Sequence, residues 1–210
     1  MKLEERREMI IEAAAVEFGR RGHRDARMED IASAAGITKA VLYDHFPSKG
    51  ALHAEVVKRA SEHVTATVVA AVMEVLDRDP ETRFRTGMLK TFEVIRDRPD
   101  VRGLLLGDVG GDVKVAKASV KAQRGARAAM TATFLSDPAF LEGAPDRERR
   151  AEHVAQAVMG TVNGLAALGV EQDLTPEQLT DLLMALLWPG IDSLARAWAE
   201  GRRQTADGRN

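Results

Sequence analysis

The chain has no cysteine. That excludes a disulfide framework, a thiol nucleophile and a Cys-ligated zinc or iron–sulfur centre. Aromatic residues are sparse, with one Tyr, two Trp and six Phe making up 4% of 210 residues. Neither sign of charge dominates: 30 Lys+Arg stand against 32 Asp+Glu, a net −2. Any contact with nucleic acid must therefore come from a local patch rather than from bulk charge. No run approaches the ~18 consecutive apolar residues of a membrane span. The first residues, Met1-Lys2-Leu3-Glu4-Glu5-Arg6-Arg7, lack the apolar stretch of a secretory leader. These absences predict a cytoplasmic chain with no membrane partner. What remains, 45% hydrophobic and 30% charged residues, suits one ordinary domain or a small module joined to a larger one.

The signals of β structure are missing too. No stretch of alternating β-branched residues occurs, and Asp207-Gly208 lies in the polar tail. Runs rich in Ala, Leu, Glu, Arg and Met, with apolar residues three and four apart, predict an all-α chain of about nine helices. The first is expected over roughly 4–19, with Met9, Ile10, Ala13, Ala14 and Phe18 on one face and Gly19 and Gly22 stopping it. Short helices follow at about 27–35 and 38–45, and a long one runs from Pro47-Ser48 to about Leu76. Asp79-Pro80 opens a fifth, which Arg98-Pro99 ends. A short helix at 100–107, a basic one at about 112–136 and an eighth at about 146–169 come next. The last begins at Thr175-Pro176-Glu177-Gln178, where Thr175 and Gln178 can form a capping box around Pro176. Pro189-Gly190 is expected to kink or break it, and the tail from Gly201 is polar.

One corner carries chemistry. Helices two and three are joined by Ala34-Ala35-Gly36-Ile37-Thr38. Gly36 supplies the positive φ that ends one helix, and Thr38 can cap the next. Ile31, Ala32 and Ala35 would face Ile37, Leu42 and Phe46. Two small helices crossing steeply on a small core are the build of a helix-turn-helix, although such corners are as often plain architecture. The wider string decides between them. Residues 28–52, MEDIASAAGITKAVLYDHFPSKGAL, closely resemble the signature of the TetR family of one-component repressors. The matching elements are Asp30-Ile31-Ala32, Ala35 to Lys39, Leu42-Tyr43, His45-Phe46 and Ser48-Lys49.

The resemblance implies an all-α fold with a three-helix DNA-binding domain over 1–50, a helical regulatory and dimerisation domain over 51–200 and a flexible tail over 201–210. It implies that Thr38, Lys39, Ala40 and Val41 face base edges, and that Tyr43, His45 and Lys49 contact phosphates. Some positions depart from the pattern. Arg27 stands where a capping threonine is usual, leaving Asp25 as the substitute cap, and Arg27 can itself touch phosphate. Ala40 replaces a glycine, Asp44 adds a negative charge to the recognition helix, and Gly50 stands where an acidic residue is common. Arg20, Arg21, Arg24 and Arg27 form the one basic stretch near the motif. Residues 1–50 hold nine Lys+Arg against nine Asp+Glu, so affinity must rest on placement of charge and on duplication.

One recognition helix spans few base pairs, which favours a homodimer on palindromic operator DNA. Val154, Ala157, Val158, Thr161, Leu165, Leu168, Leu179, Leu182, Leu186 and Leu194 are the dimerisation candidates. An unidentified small-molecule effector would lie among Phe84, Met88, Phe92, Leu105, Val109, Met130, Phe134 and Met159, with Gln123, Arg127 and Asn163 as polar contacts. The resemblance implies that the effector relieves repression by shifting the fourth helix. The rivals are a helical enzyme and a protein-binding adaptor. Against the enzyme, there is no His-Glu-x-x-His or Glu-x-x-His, and His23, His45, His53, His63 and His153 show no ligand spacing. Gly107-Asp108-Val109-Gly110-Gly111 lacks the ending of a phosphate loop. No cofactor, metal or catalytic residue is therefore assigned.

Overall fold

A computed structural model of the chain describes residues 3–98, 101, 111–137, 140–141, 144 and 146–207. Among them are eight helices and no strand: α1 (Leu3–Asp25), α2 (Met28–Ala34), α3 (Lys39–His45), α4 (Lys49–Met73), α5 (Pro80–Asp97), α6 (Val113–Ser136), α7 (Arg147–Gln172) and α8 (Pro176–Asp207). The short helix expected over 100–107 lies outside the described residues except for Val101, which is helical and buried. The chain divides into two compact units, Met1–Thr67 with Glu93–Arg124, and Val68–Phe92 with Gly125–Asn210.

The first unit is built on the apolar faces of α1 to α4. Ile10, Ile11, Ala14, Ala15 and Phe18 of α1 pack with Met28, Ile31, Ala32 and Ala35, with Leu42 and Phe46, and with Leu52 and Val56 of α4. The buried face of α1 is turned from the expected one: Ile11 and Ala15 go inward, while Met9 is 42% exposed. Gly19 does not stop α1. Gly22, at φ 72° and ψ 174°, interrupts the helical geometry instead, and the chain resumes to Asp25. Val57 of α4 packs on Val115, Ala118 and Ala122 of α6 in a smaller cluster.

In the second unit, Ala151, Ala155, Val158, Val162, Leu165 and Ala166 form the buried stripe of α7, and Leu179, Leu183, Met184 and Ile191 that of α8. The start of α8 is the expected reciprocal cap: Thr175 N donates to Gln178 Oε1 at 2.9 Å, and Gln178 N to Thr175 Oγ1 at 3.3 Å. Pro189 does not break α8, which is one helix from Pro176 to Asp207. A proline removes one N–H and crowds one carbonyl, but Pro189 sits on the exposed side while Met184 and Ile191 bury the same face before and after it.

Candidate nucleic-acid interface

The corner between α2 and α3 closes by backbone alone. Gly36 sits at φ +65°; its N–H donates to Ser33 O at 3.1 Å, and the Ile37 N–H donates to Ala32 O at 3.0 Å. This pairing satisfies carbonyls left over at the end of α2 and folds Ile37 back onto Ala32. Thr38 then caps α3 by accepting from Val41 N at 3.3 Å. The other end of α2 differs from expectation. Arg27 is its N-cap residue and makes no side-chain cap, so Asp25 does not take that role.

α3 is divided sharply. Leu42 is 0% exposed and Phe46 is 4% exposed, and both belong to the core. Thr38, Lys39, Ala40, Tyr43 and Asp44 are exposed, and Val41 and His45 are half-buried. The helix is thus anchored by one residue per turn and leaves its outer side open.

Around that open side the charges are placed individually. Lys39 Nζ donates to Glu29 Oε1 of α2 and lies 5.9 Å from the centre of the Tyr43 ring. Their hydrogen bond holds Glu29 below the ordinary carboxylate range and Lys39 above the ordinary ammonium value. Lys49 reaches back across the unit, donating to Arg24 O and Ala26 O at 3.0 Å each. These carbonyls have no helical partner where α1 ends, and the ammonium fixes the turn that leads into α2. Arg20 and Arg21 are answered by Glu17 at 3.5 and 3.0 Å. Arg24 and Arg27 are exposed and make no ion pair among the described residues. Arg21, Arg24, Arg27, Tyr43 and Lys49 line one open cleft with Asp25, Ala26, Met28 and Glu29. The spacing of residues in the sequence showed neither the Lys49 clamp nor the Glu29–Lys39 pair, because both join positions far apart in the chain.

The other candidates fall in different places. Of the proposed effector residues, Phe84 and Phe134 stack at 6.0 Å, with Trp188 5.7 Å from Phe84 and Phe140 4.9 Å from Phe134. Met88 and Phe92 are buried. Met130, Met159 and Asn163 are half-buried, and Gln123 is exposed in the first unit. Arg127 already bonds Gln156 at 2.9 Å and Glu152 at 3.2 Å. Leu105 and Val109 lie outside the described residues. Of the dimerisation candidates, Val158, Leu165 and Leu179 are buried, Val154, Thr161 and Leu168 are half-buried, and Ala157, Leu182, Leu186 and Leu194 are exposed. Among the described residues no group of three His, Asp or Glu could hold a metal ion, and no helix is long and apolar enough to cross a membrane.

Residues 10–56 match the family model for bacterial regulatory proteins, tetR family. The HTH-type transcriptional activator FasR of Mycolicibacterium smegmatis is 35% identical over 92 residues, 44% of this chain and 41% of that protein. The chain thus matches about two fifths of that relative's length. The fatty acid degradation regulator FadR from Bacillus halodurans superposes with a TM-score of 0.73 at 17% identity, covering 89% of this chain and 96% of that one. A tetR-family transcriptional regulator from Streptomyces coelicolor gives 0.68 at 21% identity, covering 95% and 90%. These superpositions share the fold.

Proposed function

We propose that this chain is a member of the tetR family of bacterial regulatory proteins, whose model its residues 10–56 match, and a cytoplasmic, DNA-binding transcriptional repressor that acts as a homodimer on a palindromic operator and is released by a small-molecule effector. The observation that carries the reading is the division of α3, with Leu42 buried in the core and Thr38, Lys39, Ala40 and Tyr43 open to a partner. In this reading residues 1–50 are the DNA-binding head, 51–200 the regulatory and dimerisation part and 201–210 the tail.

A helix presented in this way fits the major groove, with Lys39 set for a guanine edge and Val41 for a thymine methyl. Tyr43, His45 and Arg27 meet phosphates on the flanks. Lys49 fits a double role: an ammonium has three protons, and two of them are committed to Arg24 O and Ala26 O. The third is available to a phosphate while the first two keep the cleft in shape.

Leu182, Leu186 and Leu194 support the dimer. They lie four and eight residues apart on α8 and are 41%, 65% and 47% exposed, with Gly190 completing the stripe. Ala157, Gly160 and Gly164 give α7 an exposed line of small residues. Val158, Leu165 and Leu179 serve the interior of the protomer. The effector is placed near Phe84, Met130, Phe134, Met159 and Asn163. An effector that binds the DNA-incompetent arrangement better by ~1–3 kcal/mol weakens operator binding about 5–150-fold.

The test is selection of bound fragments from the source genome followed by gel shift. A recovered inverted repeat with half-sites about one helical turn apart supports the reading; the absence of any sequence preference contradicts it. FasR is named an activator, so a reporter fused to the recovered promoter, with and without the protein, settles the sign of regulation.

A further inference from the structure

His23, His53 and Asp112 converge within the first unit, outside the proposed DNA-contacting surface. His23 follows the break at Gly22 and has a side chain only 8% exposed. Its Nδ1 lies 2.9 Å from the Nδ1 of His53 on α4, and the two rings are 10° from parallel with centres 5.0 Å apart. Phe18 stacks on His53 at 4.1 Å and shields the pair from one side. The Nε2 of His23 is 3.9 Å from Oδ2 of Asp112. Asp112 in turn accepts from Lys114 N at 2.8 Å, at the start of α6. A Cβ built on Gly50 would stand 2.2 Å from Asp112 Oδ2, so glycine is what lets the first turn of α4 approach this carboxylate.

We propose that His23, His53 and Asp112 are positioning residues: they tie the end of α1 to the first turns of α4 and α6, and the protons on the two imidazoles set how firmly that tie holds the head. The consequence for DNA rests on the function proposed above.

A hydrogen bond between two Nδ1 atoms needs one of them protonated and the other bare. In the neutral pair that condition is met. A first added proton is accommodated on His23, whose Nδ1–H then donates to His53 while its Nε2–H faces the Asp112 carboxylate. Asp112 stays ionised while the imidazoles titrate, because the Lys114 backbone N–H, foremost, holds it below the usual carboxylate range. A second added proton, on His53 Nδ1, would set two N–H groups against each other at hydrogen-bond distance and place two positive charges side by side.

The two protons therefore act in opposite directions. The first is bound more tightly in the folded protein, so its contribution is present below the ordinary imidazole value of about 6.5 and is lost as pH rises through the folded midpoint. The second is bound less tightly, so the contact is intact above about 6.5 and fails as pH falls. When it fails, the end of α1 loses this tie to α4, and the Arg24–Ala26 turn is left to Lys49 alone.

The experiment follows the imidazole Cε1–H signals of the full chain by NMR from pH 5 to pH 8, alongside binding to a short mixed-sequence duplex at low salt. The expected midpoints lie above the ordinary imidazole value for His23 and below it for His53. Binding is expected to weaken about tenfold on acidification, the change that one unit of midpoint displacement produces. His53→Asn keeps an acceptor for His23 but cannot take a proton; its binding near pH 7 should match wild type and its acid loss should vanish. Ordinary midpoints for both histidines, or the same acid loss in His53→Asn, would overturn the proposal. A chain that binds no duplex at any pH would instead overturn the DNA reading, and the NMR midpoints would still decide the tie.

Discussion

In α3 a single apolar side chain, Leu42, goes inward and the exposed residues are Lys39, Ala40, Tyr43 and Asp44. In α8 leucines lie on both sides: Leu179 and Leu183 are inside, and Leu182, Leu186 and Leu194 are outside. Both helices leave a face uncovered in the protomer, but the chemistry of those faces differs. The face of α3 can stay in water and suits a polyanion with readable edges. The face of α8 loses free energy in water with every exposed leucine, so it suits a second apolar surface, which the proposed homodimer would supply by symmetry.

Substitutions can break this contrast from either side. Leu42→Ala has the largest expected effect, about 2–5 kcal/mol of stability, because it opens a cavity under α3. Denaturant unfolding checks it, and a loss under ~1 kcal/mol would mean that α3 is not held by its buried side. Leu186→Glu comes next: sedimentation should show self-association weakened by tenfold or more, about 1.4 kcal/mol, with helix content unchanged. Unaltered self-association would remove α8 from the proposed dimer interface. Gly36→Ala should cost about 1–2 kcal/mol. A Cβ there meets nothing within 4 Å, so the loss would come from the positive φ alone, and thermal unfolding of the pair of proteins measures it.

How much of this was legible in the sequence follows the range of the interactions involved. Gly36, Thr38 and the Thr175–Gln178 box act within a few residues of themselves, and their roles could be read directly. Leu42 and Phe46 were also legible as core, since their spacing fits one side of a helix. The inward turn of Ile11 and Ala15 was not, because α1 has apolar residues on adjoining faces, Met9 and Val16 included, and the packing of α2 and α4 chooses among them. Asp25 could have capped α2, but the turn between α1 and α2 is held from a distance by Lys49. Pro189 reads as a kink or break because its local cost is real, while the buried residues on either side that carry α8 through it act across the second unit. The His23–His53–Asp112 cluster had no signal at all: its members are 30 and 59 residues apart in the chain.

The smallest change in the protein gives the most direct test of the central claim. Lys39→Gln removes one exposed charge and should alter folding stability by less than ~0.5 kcal/mol. Bound genomic fragments selected with wild type and with Lys39→Gln, then sequenced side by side, report what α3 reads. The account predicts the same inverted repeat with preference relaxed at one position in each half-site, a discrimination loss of about 1–3 kcal/mol there. An identical preference at every position, with all affinities reduced alike, would contradict it.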